Sequence, residues 1–506
     1  MSAKSIMIQG TMSGAGKSLL CAALCRIFAR EGYRVAPFKS QNMALNSCVT
    51  DDGLEMGRAQ AVQAAAANVR PDVRMNPVLL KPCTDTGSQV IVNGKVQTQL
   101  GAKEYYQYKK QLIPAVREAY ESLASENDLI IIEGAGSPAE INLRDNDFVN
   151  MGLAQMVDAP VLLAGDIDRG GVFAQLVGTV DLLEPEENEH IKGFVINKFR
   201  GDPSILDPGL TMLEEKTHIP VLGVIPYLDV DIDEEDSLAP RLQRKHSGVL
   251  DVAVIRFPRI SNFTDFAPLE AHSQFGVRYV EKPSLLGTPD LVILPGTKST
   301  ISDLIWMRES GMETKVLQLH SRGIPVMGIC GGYQMLGHSL SDPYEVEGGG
   351  AVRGLGLLSL ETVFQKEKHL TESRAVIDGC DFLGGALNGA AVQGYEIHAG
   401  ETGTASGESP AGGRSKAQAP HNPAGERWGS SPSVFGTYFH GLFDTGEVTE
   451  RLARALSQRK GVSYKPEAPV SHREYENQQF DILADAVQEA LDMRALRNII
   501  GLPERT

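Results

Sequence analysis

The sequence predicts an α/β protein with two doubly wound domains, each a largely parallel sheet with helices on both faces. Three observations predict this fold. Short β-branched runs alternate with helical patterns along most of the chain, and the alternation breaks once, in an acidic stretch at 229–236 followed by residues 237–248. The length of 506 residues also exceeds one ordinary core. We therefore expect one domain at 1–235, a second at 250–447 and a helical segment at 448–506.

The first domain is expected to hold six parallel strands, because short apolar runs separated by helices are typical of a sheet buried on both faces. These strands are expected at 5–8, 34–37, 129–132, 161–164, 193–196 and 221–224. The second domain is expected to hold one separate sheet with strands at 250–255, 291–294, 326–329, 391–398 and 434–438.

Two further segments of the second half have distinctive patterns. Residues 400–433 are rich in Gly, Ser, Ala and Pro, which predicts a mobile surface insertion. Residues 482–496 have helical spacing and carry several acids, which predicts a terminal helix that docks on protein rather than on anionic lipid.

Charge and cysteine usage limit the possible partners and location. Lys and Arg total 48 against 64 Asp and Glu, a formal charge of -16. Such a surface repels phosphate backbones and anionic membranes, so we expect neither nucleic acid nor a membrane as partner. The six cysteines are scattered, and the first residues lack the pattern of a signal peptide. These features predict a cytoplasmic protein.

A glycine-rich loop, GTMSGAGKS at 10–18, follows the first strand and opens an apolar helix. In this setting backbone N–H groups wrap a triphosphate at the helix N-terminus. Lys17 is expected to reach the outer phosphates and Ser18 to bind Mg²⁺. Thr11 stands where the strict pattern has its first glycine. The predicted ATP contacts of the loop are Thr11, Gly14, Gly16, Lys17 and Ser18.

Polar residues follow the neighbouring strands, at the sheet edge where ligands bind in doubly wound folds. Glu133 is expected to be a metal ligand beside the loop. Asn197 suits hydrogen bonding to an adenine edge. Lys39 is expected either to neutralise a phosphate or to be an ordinary solvated lysine.

Two acids lie just beyond Glu133 in the run Asn-Leu-Arg-Asp-Asn-Asp at 142–147. Asp145 and Asp147 are expected to hold a metal, a substrate or a transferred phosphoryl group. The alternative is a charged, hydrogen-bonded loop without chemistry. The sequence does not decide which of the two acids matters more.

A second candidate site centres on Cys330, which lies between glycines where a strand passes into a helix. That turn permits the sharp elbow that exposes a nucleophile, and the helix N-terminus lowers the pKa of a thiol. His440, at the end of a late strand, is the expected proton-transfer partner, with His398 as a rival. The backbone N–H groups of Gly296 and Gly331 are expected to form an oxyanion hole.

At this point the motifs match a known family over nearly the whole chain. The N-terminal half resembles the dethiobiotin synthetase-like P-loop domain, and the C-terminal half resembles class I glutamine amidotransferases of the cobyrinate and cobyric acid synthase family. The segments closest to the cobyric acid branch of that family are PFKSQNMALN at 37–46, EGAGSPAEINL at 133–143 and DIDRGGVF at 166–173.

The resemblance implies amidation of the b, d, e and g carboxylates of adenosylcobyrinic acid a,c-diamide, with L-glutamine and ATP·Mg²⁺, in cobalamin synthesis. One position departs from the class I pattern: a glutamate usually follows the histidine by two residues, and here Leu442 stands there. The group that orients His440 is therefore left open, as a Cys-His dyad or an acid such as Glu396.

Other functions share parts of this pattern. A cobyrinate a,c-diamide synthase, or a synthase acting on cell-wall carboxylates, has the same two domains. A partitioning-type P-loop ATPase has the same loop and an amphipathic terminal helix. The retained Cys330 and His440 favour chemistry over that last class. The sequence does not indicate an oligomeric state.

Overall fold

The computed structural model describes residues 3–82, 87–232, 247–404, 428–467 and 472–503. The chain divides into two compact units: the first comprises Met1–Ala44, Leu54–Asp233 and Glu476–Thr506, and the second comprises Leu45–Gly53 and Glu234–Tyr475. The region 448–506 is thus divided between the two units, and the domain boundaries drawn from the sequence remain predictions.

The strands of the described residues are, in chain order, β1 (Lys4–Gly10), β2 (Val35–Phe38), β3 (Gln41–Met43), β4 (Ser47–Val49), β5 (Glu55–Gly57), β6 (Val78–Pro82), β7 (Gly87–Val92), β8 (Lys95–Gly101), β9 (Leu129–Glu133), β10 (Val161–Asp166), β11 (Ile191–Phe199), β12 (Val221–Pro226), β13 (Leu250–Ile255), β14 (Phe275–Val280), β15 (Leu291–Leu294), β16 (Val326–Ile329), β17 (Ser339–Asp342), β18 (Gly350–Arg353), β19 (Leu360–Val376), β20 (Ala391–Thr404), β21 (Trp428–Ser431), β22 (Val434–Thr437) and β23 (Phe439–His440).

The α-helices of the described residues are α1 (Lys17–Arg30), α2 (Arg58–Ala66), α3 (Ala102–Glu126), α4 (Met151–Val157), α5 (Val172–Leu182), α6 (Pro185–Asn188), α7 (Asp207–Thr217), α8 (Ala267–Ala271), α9 (Thr300–Glu309), α10 (Met312–Ser321), α11 (Gly331–Leu336), α12 (Glu447–Lys460), α13 (His472–Ala490) and α14 (Met493–Ile500). Among the described residues, no helix is both long enough and apolar enough to cross a membrane.

The first unit is built on a six-stranded parallel sheet in the order β12-β11-β10-β1-β9-β2. All six strands predicted for this half of the chain lie in it. Strand β9 reads LIIIE and is buried along its whole length, as expected for a strand covered on both faces. The strands next to β1 therefore end at the same edge as the glycine-rich loop.

A smaller sheet of the first unit, in the order β3-β6-β7-β8, was not predicted. Strand β8 reads KVQTQLG and is mostly exposed. Because it has few apolar residues, its sequence does not indicate a buried strand. The turn between β7 and β8 is Asn93-Gly94, with φ of 47° and 78°. An Asn-Gly pair with both φ positive is the strongest short hairpin signal, and it identifies the turn in retrospect.

The predicted helix at 482–496 is two helices, because the chain breaks between α13 and α14. Helix α13 ends at Ala490, and Asp492 caps α14, its carboxylate accepting a hydrogen bond from Ala495 N at 2.9 Å. The preceding Leu491 pairs with Gly223 of β12 in an antiparallel bridge. Pairing with the sheet edge requires an extended backbone at Leu491. The hydrophobic pattern in the sequence continues through this residue, which is why it predicts a single helix.

The acidic face of α13 docks within the first unit, as predicted. Asp481 accepts a hydrogen bond from Arg26 Nε at 2.8 Å, and Asp485 pairs with Arg30 at 2.6 Å. On the other side of the helix, Phe480 and Leu483 are buried in the core of that unit. The acids therefore face arginines of helix α1.

The second unit has a sheet in the order β14-β13-β15-β16-β22-β21, parallel except for the antiparallel edge pair β21 and β22. The strands predicted at 250–255, 291–294, 326–329 and 434–438 lie in this sheet. The prediction that 391–398 belongs to it is wrong. That segment is part of β20, in a second sheet ordered β18-β17-β19-β20-β23. Its side chains largely alternate between more and less buried, the pattern of an antiparallel strand with one solvated face.

The segment predicted as a mobile insertion, 400–433, is structured at both ends. Residues 400–404 complete β20, and Trp428–Ser431 forms β21. The remainder, 405–427, lies outside the described residues.

Candidate active sites

The glycine-rich loop of the first unit is shaped by backbone that only glycine adopts easily. Helix α1 begins at Lys17 directly after Gly16, whose φ is 92°. A Cβ on Gly16 would lie 2.1 Å from Asn197 Nδ2, so a side chain there would clash as well as strain the backbone. Gly14 also has positive φ, with open space around it. The loop therefore curls into a cradle at the helix N-terminus.

Side-chain donors hold the loop in place. Lys17 Nζ donates to the carbonyl oxygens of Met12 at 3.2 Å and Gly136 at 2.9 Å. Lys198 Nζ donates to Gly14 O at 2.6 Å. Two lysine ammonium groups thus lie against the loop, and the backbone N–H groups at the start of α1 give it the further positive character of a helix N-terminus.

The side chains of Asn197 and Thr11 also form hydrogen bonds that hold the loop. The Asn197 amide donates from Nδ2 to Ala15 O at 2.9 Å and accepts at Oδ1 from Lys198 N at 2.9 Å. Thr11 Oγ1 donates to Gln175 Oε1 at 2.9 Å. Both ends of the Asn197 amide hold backbone, so the residue predicted to contact adenine contacts the phosphate loop in this structure.

Glu133, at the end of β9, lies at the centre of a buried polar cluster. Its carboxylate accepts hydrogen bonds from Ser18 Oγ at 2.8 Å, Lys39 Nζ at 2.9 Å and Gln63 Nε2 at 2.6 Å. Burial opposes ionisation, but Lys39 and the hydrogen bonds from Gln63 and Ser18 hold the pKa of Glu133 below its usual range.

The Ser18 hydroxyl and the Glu133 carboxylate are the oxygen donors that Mg²⁺ prefers, and they lie together as predicted. The residues present therefore fit the ion. Lys39 is not an ordinary solvated lysine, because it is buried and pairs with the carboxylate of Glu133.

The two acids of the 142–147 run have different surroundings. The Asp147 carboxylate accepts from the backbone N of Val149 at 2.8 Å and of Gly152 at 2.9 Å, which ties down the start of α4. Asp145 is exposed, and no hydrogen bond to its carboxylate is seen within the described part of the chain. Asp147 therefore stabilises the start of α4, whereas the Asp145 carboxylate is exposed to solvent.

In the second unit, Cys330 lies on the predicted elbow between β16 and α11. Its φ of 50° and ψ of −109° are strained for a residue with a side chain. The flanking glycines permit it: a Cβ on Gly332 would lie 2.0 Å from Leu294 O, and one on Gly328 would lie 2.6 Å from Gly332 O. Such an elbow presents the thiol at the top of the sheet.

His440 is oriented by Asp265, a residue that the sequence did not single out. The imidazole Nδ1–H donates to Asp265 Oδ2 at 2.7 Å, and the other carboxylate oxygen accepts from Gly441 N at 3.1 Å. Burial disfavours a charged imidazole, but Asp265, together with Cys330, raises the pKa of His440 to about 10. This arrangement favours a protonated imidazole, which is the proton donor that the chemistry of Cys330 requires.

Asp265 had no local signal, because it lies in a 3₁₀ turn, Phe263–Phe266, far from His440 in sequence. The acid named as an option, Glu396, lies elsewhere: its Oε2 is 3.8 Å from His398 Nε2. His398 in turn stacks on Tyr438 with ring centroids 3.6 Å apart. Asp265, rather than Glu396, is the acid in contact with His440.

Of the two glycines predicted for the oxyanion hole, Gly331 follows Cys330 in the chain and Gly296 lies beside His440. A Cβ on Gly296 would lie 3.2 Å from His440 Cε1, and one on Gly331 would lie 2.8 Å from Thr297 Cγ2. The loop at 295–297 therefore packs against the elbow and the imidazole together. It is anchored by Ser261 N, which donates to Gly296 O at 2.9 Å.

Known proteins resemble both halves of the chain. Residues 6–238 match the CobQ/CobB/MinD/ParA nucleotide binding domain family, and residues 251–448 match the CobB/CobQ-like glutamine amidotransferase domain family. The fold and both sites thus define a glutamine amidotransferase joined to a nucleotide-binding domain.

Curated relatives narrow that class. Proteins named cobyric acid synthase match from Ruminiclostridium cellulolyticum (54% identity, 98% of this chain and 97% of the relative), Lachnoclostridium phytofermentans (53%, 98% and 99%) and Streptococcus sanguinis (48%, 99% and 100%). The chain belongs to the cobyric acid synthase family.

Proposed function

We propose that this chain uses glutamine and ATP·Mg²⁺ to amidate the b, d, e and g carboxylates of adenosylcobyrinic acid a,c-diamide, giving adenosylcobyric acid in cobalamin biosynthesis. The observation that carries the proposal is the Cys330 elbow with His440 and Asp265 behind it, in a chain of this family. A glutaminase thiol releases ammonia, which must be consumed by a second reaction. The nucleotide-binding half supplies that reaction, because ATP can activate a carboxylate for attack by ammonia.

At the thiol site, Cys330 attacks the side-chain amide carbon of glutamine, and the C–N bond breaks as ammonia leaves. His440 gives its proton to the departing nitrogen and then removes one from the water that cleaves the thioester to glutamate. Asp265 keeps the imidazole in the tautomer that presents Nε2 to this chemistry. The N–H groups of Gly296 and Gly331 hold the oxyanion, and losing one such donor raises the barrier by roughly 3 kcal/mol.

Polar groups beside Gly331 suit the amino-acid end of glutamine. Thr300 Oγ1 contacts Gln334 Oε1 at 3.2 Å and Glu347 Oε1 at 3.3 Å. A Cβ on Gly331 would lie 3.1 Å from Thr300 Oγ1, so this cluster borders the elbow. Burial raises the pKa of Glu347 to about 7, against the effect of Lys298. We assign Glu347 to the α-ammonium group of glutamine, whose charge would restore its ionisation.

At the phosphate site, a substrate carboxylate attacks the terminal phosphorus of ATP, forming an acyl phosphate and releasing ADP. Ammonia then attacks the acyl carbon, and phosphate leaves. Lys17 would stabilise the charge on the transferred phosphoryl group, and Ser18 and Glu133 would hold Mg²⁺, which supplies charge neutralisation between phosphates. The exposed carboxylate of Asp145 is the better placed of the two acids to meet the corrinoid or its acyl phosphate.

In the same proposal, the corrinoid and L-glutamine are the partners, neither nucleic acid nor a membrane takes part, and the protein is cytoplasmic. The net charge of -16 supports the absence of nucleic acid. The cysteines described, including Cys21, Cys25 and Cys380, are free thiols, as a reducing compartment favours.

The proposal is tested by measuring ADP and glutamate release with and without a panel of carboxylates. We expect adenosylcobyrinic acid a,c-diamide to stimulate both, and cobyrinic acid or a cell-wall precursor to do so poorly. Preferential stimulation by cobyrinic acid would instead make the chain an a,c-diamide synthase. ATP hydrolysis that no carboxylate changes would favour a partitioning-type ATPase. Substrate carboxylate labelled with ¹⁸O should pass one label to phosphate if the acyl phosphate forms.

A further inference from the structure

Two histidines and a glutamate of the second unit lie on one face of the ribbon formed by β19 and β20. His369 stands directly opposite His398 in the antiparallel register, and Glu396 is two residues from His398 on the same strand. Residues two apart on a strand, and residues directly across it, share a face. Their candidate ligand atoms all lie within 4.8 Å of one another.

The hydrogen bonding of His398 prepares it to bind a cation. Its Nδ1 contacts Gly400 O at 2.7 Å, and because a carbonyl only accepts, Nδ1 carries the proton. The lone pair is then on Nε2, a buried atom for which the described residues offer no hydrogen-bond partner. A backbone carbonyl on one imidazole nitrogen is the usual support for a metal on the other. The nearest carboxylate oxygen, Glu396 Oε2, is 3.8 Å away, too far for a hydrogen bond.

Space for an ion and its solvent adjoins the cluster. A cavity of about 500 Å³ is bordered by His369 and His398. The register of β19 shifts between Phe364 and His369, so the intervening residues bulge around this cavity. Its walls carry Lys366 and Lys368 as well as Glu367 and Glu401, which balance in charge. Lys366 Nζ lies 5.4 Å over the ring of Tyr344.

We propose that His369, Glu396 and His398 form a binding site for one divalent transition-metal ion, with Zn²⁺ as the best fit. Two imidazoles and one carboxylate suit such an ion better than Mg²⁺ or Ca²⁺, which prefer oxygen ligands alone. Ligand bonds of about 2.0–2.2 Å require the three side chains to close by roughly 1 Å, and water from the cavity takes the fourth position. The ion would bridge the two strands of the ribbon.

The proposed Mg²⁺ site lies in the other unit, but the Cys330 thiol is close by, because its Sγ donates to the backbone oxygen of Ile397, between Glu396 and His398, at 3.5 Å. The test must keep those groups from binding Zn²⁺. Cys330→Ala, purified and stripped with a chelator, removes the thiol, and saturating Mg²⁺ without nucleotide occupies oxygen sites. Zn²⁺ is then titrated by calorimetry, and bound metal is counted by elemental analysis after gel filtration.

We expect one equivalent of Zn²⁺ to bind, and adding His369→Gln to weaken it at least about 100-fold, since loss of a ligand should exceed the 10–100-fold typical of outer-sphere changes. His369 is only partly buried, so this change should leave the fold intact. The matched control is His338→Gln, which changes an exposed histidine of the same unit. This control variant should bind Zn²⁺ with unchanged affinity.

Thermal unfolding supplies a second readout. Zn²⁺ should raise the Tm of the Cys330→Ala protein and of the His338→Gln control, but not of the His369→Gln variant, because only a ligand bound to the folded state stabilises it. Co²⁺ should give visible absorption bands in the same variants. Equal Zn²⁺ stoichiometry and affinity with and without His369, or no binding to Cys330→Ala, would overturn the proposal.

Discussion

The phosphate site and the thiol site differ in how their residues are distributed along the chain. Most of the phosphate site comes from one continuous loop and the helix after it, so a short motif predicts it. The thiol site joins Cys330, His440 and Asp265 from three separate segments. A local motif identifies the nucleophile, and the strand end identifies the histidine, but the orienting acid becomes visible only in the fold.

The two sites also differ in how they handle buried charge. In the first unit, a buried carboxylate is held ionised by Lys39 and by hydrogen bonds. In the second, a buried imidazole is held protonated by Asp265. The first arrangement provides an anionic oxygen ligand for a metal, and the second provides a protonated imidazole for proton transfer. Variants that impair only the release of ammonia from glutamine, or only the activation of the carboxylate, test the roles of the two sites.

The largest separation is expected for Cys330→Ala. Loss of the nucleophile should lower glutamine-dependent amide formation by at least about 10³-fold, while synthesis from added ammonium salt is retained. Both are measured by chromatography of the corrinoid product. The control is Cys380→Ala, a buried cysteine of the same unit away from the elbow. Full glutamine-dependent activity in Cys330→Ala would make the nucleophile assignment wrong.

Lys17→Ala should instead reduce synthesis from both nitrogen sources. Removing one cation from the transferred phosphoryl group should cost about 10²–10³-fold. The measurement is ADP release with ammonium salt as donor, where the thiol site is not needed. Lys192→Ala, at an exposed position of β11, should behave as wild type. A loss confined to glutamine-dependent turnover would contradict the role given to Lys17.

Asp265→Asn keeps the shape of the side chain but removes its charge. We expect kcat/KM for glutamine to fall by about 10²-fold or more, as in triads whose acid is neutralised, with ammonia-dependent synthesis preserved. The pH profile should shift because Asp265 raises the pKa of His440. The exposed Asp381→Asn serves as control. An unchanged profile would reduce Asp265 to a packing residue.

The pH dependence of the free energy of unfolding should also reveal the interaction between Asp265 and His440. The pKa of His440 rises from 6.5 to about 10 in the folded state, so its proton stabilises the fold fully below about pH 6.5 and this contribution is lost as the pH rises through 10. Urea unfolding should therefore show the advantage of wild type over Asp265→Asn shrinking between these limits. An advantage that grows with pH would contradict the charge assignment.

The smallest effects concern the two acids near Glu133. Asp147→Ala should lower the free energy of unfolding by about 1 kcal/mol, because its carboxylate caps the turn before α4. Asp145→Ala should leave stability unchanged but slow amide formation with either nitrogen donor. Denaturant unfolding and product assays together separate the two roles. The reverse pattern would exchange the assignments.

The parts of the fold that the sequence predicts are those with local signals. The parallel strands are continuous apolar runs, and all six of the first sheet were found. Strand β20 was placed in the wrong sheet because its alternating pattern reports one solvated face but does not name its partner strand. The pattern at 482–496 predicts one helix, but Leu491 pairs with Gly223 at the edge of β12 and Asp492 caps a new helix. In both failures the structure depends on pairing with a strand that is distant in the sequence.

The same distinction applies within the sites. The glycine-rich loop predicts Ser18 and a strand end predicts Glu133, and the fold brings Ser18 Oγ to 2.8 Å from Glu133 Oε1. Asn197 is predicted to contact adenine, and in the structure its amide donates to Ala15 O of the loop. The sequence predicts these groups at one edge of the sheet, whereas their individual hydrogen bonds depend on side-chain geometry that no spacing encodes.

The central claim, amidation of a corrinoid by paired glutaminase and phosphate sites, is tested most directly by mass spectrometry. Adenosylcobyrinic acid a,c-diamide is incubated with the protein, ATP, Mg²⁺ and glutamine. We expect four successive products, each with one more hydroxyl replaced by an amino group. An unchanged corrinoid, with glutamine and ATP still consumed, would contradict the claim and direct the search to other carboxylates.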